Sequence, residues 1–408
     1  MNRAALGGHG VAVVLPAIVA GLAVGAAATF GLTRWLSAGT GAPVPFYGEH
    51  QAGISTPSQS FAFMAAFDVI TGSRDGLREL MRRWTDVAAR LTAGPQEQSV
   101  SGTPLSPPSD TGETFGYEPC RLTMTFGAGP SLFDGRFGLS SMRPAALVDL
   151  PPFLGDRLRP ELSNGDLGVQ ICADDAQVAF HALRELVRAA RGSAVLRWSQ
   201  QGFRPSPEAN TGRQTARNLQ GFKDGTANVD ASDPVQLARV VWAAGDDGAA
   251  WMKGGSYLVF RRIRMHIEVW DRSSLQDQEN TIGRHKESGS PLGGTREKDG
   301  LDLAARTKDS PVIPQDAHVR LAHGDGSEQI LRRPFSFADG VDPRTGELDA
   351  GLLFICFQRD PRVQFIPIQA RLAENDALNE YIAHVGSAIF ACFPGTRKGG
   401  YIGETLLD

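Results

Sequence analysis

Apolar positions along the chain divide it into short elements. Phe61 to Val69 is apolar at almost every position and runs into Thr71-Gly72-Ser73, the pattern of a buried strand ending in a turn. Leu77, Leu80, Met81, Trp84, Val87 and Leu91 then recur at helical spacing behind Ser73, a good capping residue, so a helix is predicted. Residues 96–116 are rich in Ser, Pro, Gly and Thr and read as a long loop. Arg121 to Phe126 alternates as a strand, and Leu167 to Cys172 reads as another. Asp174-Asp175 opens an amphipathic helix through Phe180, Leu183, Leu186 and Val187, and Ser193 to Gly202 supplies a further strand. The order strand, helix, strand, strand, helix, strand predicts a four-stranded ferredoxin-like unit with its helices on one face.

The second half repeats the theme. Gly255 to Asp271 is strand-like, Ser274 to Arg284 helix-like, His318 to Ala322 and Gln329 to Phe337 short strand-like pieces, and Gly351 to Gln358 a strand followed by a helix. The stretch from Gly168 to Asp175 echoes Leu352 to Arg359, with Cys172 and Cys356 coinciding. Two such sheets, each with one bare face, can bury those faces against one another. The predicted class is α+β, with a first ferredoxin-like unit over residues 60–205 and a second over 206–408.

Residues 11–32 are almost continuously apolar or small and suit either a secretory signal or a single membrane-spanning anchor, which assigns 1–38 to targeting. Residues 39–59 then form a linker and mature N-terminus. The expected location is exported, periplasmic or extracellular, with membrane association through residues 11–32 if the segment is retained. A net charge of −4 without a long basic cluster argues against nucleic acid as a partner. The four cysteines, Cys120, Cys172, Cys356 and Cys392, lack metal or redox spacing and read as buried thiols.

Candidate chemistry is thin residue by residue. Gly221-Phe222-Lys223-Asp224-Gly225 is, taken alone, an ordinary turn sequence; its glycines would also let backbone approach a flat cofactor and aim Asp224 at its face. His318 is either a hydrogen-bonded histidine or an iron ligand, and strand alternation would put Arg320 on its face. Arg332 and Arg333 sit among apolar residues in Ile330 to Phe337, where a salt-bridged surface strand is an equal reading.

Together these segments resemble the dye-decolourising peroxidase family. The G-x-x-D-G signature falls on Gly221 to Gly225, and Ala317 to Leu321, the Ile-Leu-Arg-Arg segment, Gln278 to Arg284 and Phe357 to Arg362 follow the same likeness, which extends from about Phe46 to Ile402. Phe46 to Ile54 resembles the mature start of the exported deferrochelatase/peroxidase subfamily. Such exported members carry a twin-arginine signal, whereas this chain has only Asn2-Arg3.

The resemblance implies one haem b per chain, held in an α+β barrel of two ferredoxin-like units. His318 matches the iron ligand, Asp224 the distal acid and Arg332 the distal arginine, with Arg333 as fallback. Glu380 matches the acidic partner of the proximal imidazole, with Asp376 competing. Gly221, Phe222 and Gly225 line the haem, Arg320 faces a propionate and Phe354 roofs the distal pocket. The implied partners are hydrogen peroxide and a reducing substrate, with an iron-permease system and a homo-oligomer as further options. Trp242, Trp251, Trp270 and Tyr257 are candidates to relay electrons from a bulky donor, against aromatic packing as the simpler role. The alternatives to a peroxidase are a non-enzymatic haem carrier and a protein that releases iron from haem.

Overall fold

The computed structural model describes residues 42–94, 103–212, 214–246 and 248–408. The apolar stretch 11–32, and with it the signal or anchor reading, lies outside them. Among the described residues no helix is long and apolar enough to cross a membrane.

The first half runs β1 (Phe61–Val69), α1 (Arg74–Ala93), β2 (Thr123–Ala128), β3 (Leu167–Ala173), α2 (Ala176–Ala189) and β4 (Ala194–Phe203). Both helices start where a side chain meets their free N–H groups: Ser73 accepts from Gly76, and Asp175 from Gln177 and Val178. The strands pair antiparallel in the order β2-β3-β1-β4, a ferredoxin-like sheet.

The second half has β5 (Ser256–Met265), α3 (Leu275–Ile282), α4 (His318–His323), β6 (Leu331–Arg332), β7 (Phe335–Val341), β8 (Leu348–Gln358), α5 (Phe365–Asn375) and β9 (Ile382–Cys392). Its order is β7-β8-β5-β9, the same topology. The Cys172 and Cys356 segments are thus the third strands of two equivalent units, β3 and β8. Pairing of β2 with β9 and of β4 with β7 joins the two sheets into a closed barrel. At the first seam the chains come close: a Cβ at Gly168 would lie 2.7 Å from the Phe390 ring.

Alternation decides which side chains fill the barrel. Ala62, Met64 and Ala66 of β1 point inward with Leu258, Phe260, Leu353, Ile355, Phe357, Ala388 and Phe390. Phe63, Ala65 and Phe67 point outward, beneath α1 and α2, into a second core with Leu80, Trp84 and Leu183. Both faces of β1 are buried, which is why its sequence lacks polar alternation. The interior is therefore packed with side chains, and a cofactor has to bind outside it.

Several local expectations change. The stretch from Gly255 to Asp271 is strand only as far as Met265 and then turns into a short helix over Ile267–Trp270. His318 begins a helix, because Arg320 and Leu321 both donate backbone bonds back to the Ala317 carbonyl. Residues 329–337 form two strands, β6 and β7, separated at Arg333-Pro334, since proline lacks the N–H that would continue the ladder. Cys172, Cys356 and Cys392 are buried, but Cys120 is only partly so.

Charge is buried only where it is paired. Asp166, before β3, accepts from Val69 N–H at 2.9 Å, Ser131 Oγ at 2.6 Å and Arg136 at 2.9 Å. Burial alone would raise its pKa, but these bonds, Arg136 foremost, hold it below the ordinary carboxylate value. Its stabilisation is therefore complete above the unfolded carboxylate pKa and is lost as pH falls through the lowered folded value. Asp166→Asn should cost about 2 kcal/mol at neutral pH. Urea titrations of variant and parent should show that gap shrinking in acid.

Candidate active site

A cavity of about 440 Å³ lies against the outer face of the second sheet. That volume is in the range of sites for small molecules and cofactors. Ile263 and Met265 of β5, Leu352 and Phe354 of β8, and Ile382 and His384 of β9 form one wall. These are the positions that alternate with the barrel-filling side chains. Phe222, Asp224, Gly225, Arg284, His318, Arg332, Phe365 and Asp376 complete much of the enclosure.

His318 stands at the first position of α4, beside α5. Ala377 N–H binds the Asp316 carbonyl at 3.0 Å, and Arg371 of α5 binds the Leu321 carbonyl at 2.5 Å, so the two helices are tied at both ends. The turn after α5 delivers Asp376, whose Oδ2 lies 2.6 Å from His318 Nδ1. Asp376 Oδ1 accepts from Leu378 N–H at 2.9 Å, which satisfies the second oxygen of this buried carboxylate. With Nδ1 engaged, Nε2 is left for the cavity that the ring lines, where the side chain keeps 35% of its surface accessible. Burial lowers the imidazole pKa, but Asp376 outweighs it and the net shift is upward; Arg332 opposes and Asp224 assists more weakly.

The second charged pair belongs to the Gly-Phe-Lys-Asp-Gly loop and β6. Asp224 Oδ1 accepts from Arg332 Nη1 at 2.6 Å. Both side chains line the same cavity as His318. Phe222 of the same loop is buried, lines the cavity and packs edge-on against Trp270, with ring centroids 6.0 Å apart. Gly225, at φ +134°, adopts a backbone conformation that a side chain would strain.

Several expected site residues go elsewhere. Glu380 is exposed, and the carboxylate on His318 is that of Asp376, because the 3-10 turn over Ala377–Glu380 carries position 380 away while its capping residue stays buried. Arg320 cannot share the face of His318 on a helix; its guanidinium donates to the carbonyls of Leu303, Ile313 and Pro314. Arg333 is buried on the other side of the strand, bonded to the Thr56 carbonyl and Gln59, and does not replace Arg332. Gly221 is off the cavity wall, where a Cβ would meet Lys286 Cε at 2.7 Å.

The four relay candidates occupy packed positions. Tyr257, Trp251 and Trp270 are buried, and Trp242 stacks on His50 with centroids 3.8 Å apart. Arg284, which the sequence marks only as the end of the Gln278 to Arg284 segment, lines the cavity and donates to the carbonyls of Gly289 and Glu297. His384, buried among apolar neighbours and close to Arg261, has its pKa driven down to about 3 and is a neutral wall group.

Comparison with known proteins decides the family. The model for the N-terminal domain of Dyp-type peroxidases matches residues 51–204, and that for their C-terminal domain residues 215–397. The chain belongs to the Dyp-type peroxidase family. It is 40% identical over 371 residues to the deferrochelatase of Escherichia coli (strain K12), covering 89% of this chain and 87% of that one. The deferrochelatase of Yersinia pseudotuberculosis is 40% identical over 373 residues, with 89% and 85% covered. Among solved structures, DtpA from Streptomyces lividans superposes with a TM-score of 0.84 at 43% identity, over 90% of this chain and 98% of that one. The Dyp-type peroxidase of Cellulomonas bogoriensis gives 0.82 at 41%, over 91% and 100%. This chain is accordingly a haem-dependent peroxidase of the α+β barrel type, and its cofactor is haem b.

The cavity fits that cofactor on chemical grounds. Its walls are mainly apolar, one imidazole has its far nitrogen pinned and its near nitrogen unbonded among the described residues, and a carboxylate-guanidinium pair shares the space. Arg320→Met should cost about 2 kcal/mol of stability through its lost carbonyl contacts, with haem content unchanged. Haem loss at unchanged Tm would restore the propionate role to Arg320.

Proposed function

We propose that His318 would ligate the haem iron, that Asp376 is the carboxylate that orients it, and that Asp224 and Arg332 carry the peroxide chemistry. One observation supports this above the rest: a carboxylate-pinned imidazole and an acid-guanidinium pair at 2.6 Å line one cofactor-sized cavity. A cavity for carrying haem needs only the first of these.

Haem, held by His318, would supply the redox chemistry that couples peroxide reduction to one-electron oxidation of a donor. The protein's own contribution is positional and protonic. Asp376 keeps the proton on His318 Nδ1, orients the ring and makes Nε2 a stronger donor. An Asp224 oxygen takes the proton that hydrogen peroxide gives up on binding and returns it to the departing oxygen. Arg332 Nη1 stabilises the negative charge that builds on that oxygen as the O–O bond breaks. Phe222, Ile263, Leu352 and Phe354 keep the site apolar, which strengthens each of these interactions.

His318→Ala should be recovered largely without haem. Asp224→Ala and Arg332→Ala should keep haem and lose about 10²- to 10⁴-fold in kcat/KM for peroxide. Asp376→Asn should raise the ferric/ferrous potential and weaken haem retention about 10- to 100-fold, with Glu380→Gln at wild-type values for both. Stopped-flow absorbance and spectroelectrochemical titration read these effects. Full turnover in both variants would remove Asp224 and Arg332 from the peroxide chemistry, and haem retention with no turnover in the wild type would leave haem carriage as the function.

A second reading is recovery of iron from haem, supported by the deferrochelatases of 40% identity; with it goes the expectation of an exported protein working beside an iron permease. Residues 11–32 suit such an export route. Incubation with ferrous haem, an added reductant and a ferrous chelator should release Fe2+ in exchange for two protons and leave metal-free porphyrin, seen by its fluorescence; intact haem after prolonged incubation argues for peroxidase action alone.

A further inference from the structure

Asp224 and Arg332 both sit on backbone with little regular structure of its own. Among the described residues neither a helix nor a strand lies between Phe203 and Pro234, and β6 is two residues long. What holds the pair at 2.6 Å therefore has to come from side chains.

Asn228 supplies one hold. Its Oδ1 accepts from Arg332 N–H at 2.8 Å and its Nδ2 donates to the Arg332 carbonyl at 2.7 Å. Arg333 N–H turns the other way, to the Ile355 carbonyl on β8 at 2.7 Å. The backbone polar groups of Arg332 thus face away from the sheet, and one primary amide meets both, as a neighbouring strand would. This locks the direction in which the guanidinium leaves the strand.

Glu297 supplies the other. Its Oε2 accepts from Lys223 Nζ at 2.5 Å, and its Oε1 from Thr226 Oγ at 3.1 Å and from Thr215 Oγ. Lys223 and Thr226 bracket Asp224, while Thr215 precedes the residue whose carbonyl receives Asp224 N–H at 2.8 Å. The Glu297 backbone carbonyl is itself held by Arg284 at 3.0 Å. Burial would raise the Glu297 pKa, yet Lys223 and the two threonines keep it lowered, so it stays a charged hub.

We infer that Asn228 and Glu297 are positioning residues for the peroxide step, Asn228 aiming Arg332 and Glu297 aiming Asp224, so that acid and guanidinium converge on one point of the cavity. This rests on the roles given above to Asp224 and Arg332. Misplacement of either by about 1 Å is enough to cost about 10²-fold in rate.

The test uses the haem-loaded full chain carrying Asn228→Ala or Glu297→Gln, the latter preserving side-chain volume should the former fold poorly. Peroxide reaction and reduction by a dye are timed separately by stopped flow. Fluoride affinity of the ferric protein gives a readout independent of turnover, because bound fluoride accepts a hydrogen bond from an aimed guanidinium. Each variant should lose about 10- to 100-fold in the peroxide rate constant, Asn228→Ala should bind fluoride correspondingly more weakly, and the dye step and haem content should be unchanged. Wild-type peroxide rates and fluoride affinity, or losses that merely track lost haem, overturn the inference. Asp224→Ala and Arg332→Ala run in parallel: if they too keep wild-type rates, the underlying roles fail, and if they alone lose rate, only the positioning inference fails.

Discussion

The bond between the Asp376 carboxylate and His318 Nδ1 is the contact on which the site depends. It selects which imidazole nitrogen faces the cavity, and it ties α4 to the turn after α5. Asp376 is buried and would be costly there without partners, but one oxygen holds the imidazole and the other the Leu378 N–H. That mutual satisfaction makes the geometry a consequence of folding and leaves little freedom to the ring. The same requirement shapes another part of the cavity, where Asp224 and Arg332 neutralise one another between a loop and the two-residue strand β6.

The barrel explains where the cavity is. Two sheets of the same topology close edge to edge, and the inward residues of every strand fill the interior. The outward residues of β5, β8 and β9 are then free to form a pocket wall. All the side chains lining the cavity come from position 218 onward. The first half contributes support: Arg333, the neighbour of Arg332, is anchored on Thr56 and Gln59 across the boundary between the halves. Duplication thus yields one half that builds the site and one that braces it.

Much of this fold is legible in the sequence. Hydrophobic periodicity marked both helices and all four strands of the first half, and Ser73 and Asp175 proved to be the capping residues. In the second half β9 went unmarked, and His318 to Ala322 was read as a strand. Six residues contain too few repeats to tell a period of 2 from one of 3.6, so local pattern had no power there. Asp224, His318, Arg332, Phe222, Gly225 and Phe354 came from motif resemblance and all line the cavity. The place of Arg320 beside His318 rests on a strand alternation that a helix does not have, and Glu380 rests on a resemblance that left Asp376 as its competitor.

What the sequence by itself determined is the alternation that buries two strand sets, the duplicated order of elements and the segments that carry chemistry, since these depend on neighbours within a few residues. Only the tertiary structure decided that Asp376 and not Glu380 meets His318, that Arg332 and not Arg333 turns to the cavity, and that Asn228 bonds the backbone of Arg332 while Glu297 bonds the neighbours of Asp224. Those contacts join positions 58 to 108 residues apart, or turn on a difference of one to four residues in a turn or strand. Their physical cause is the direction in which each backbone segment projects its side chains once the sheets have closed.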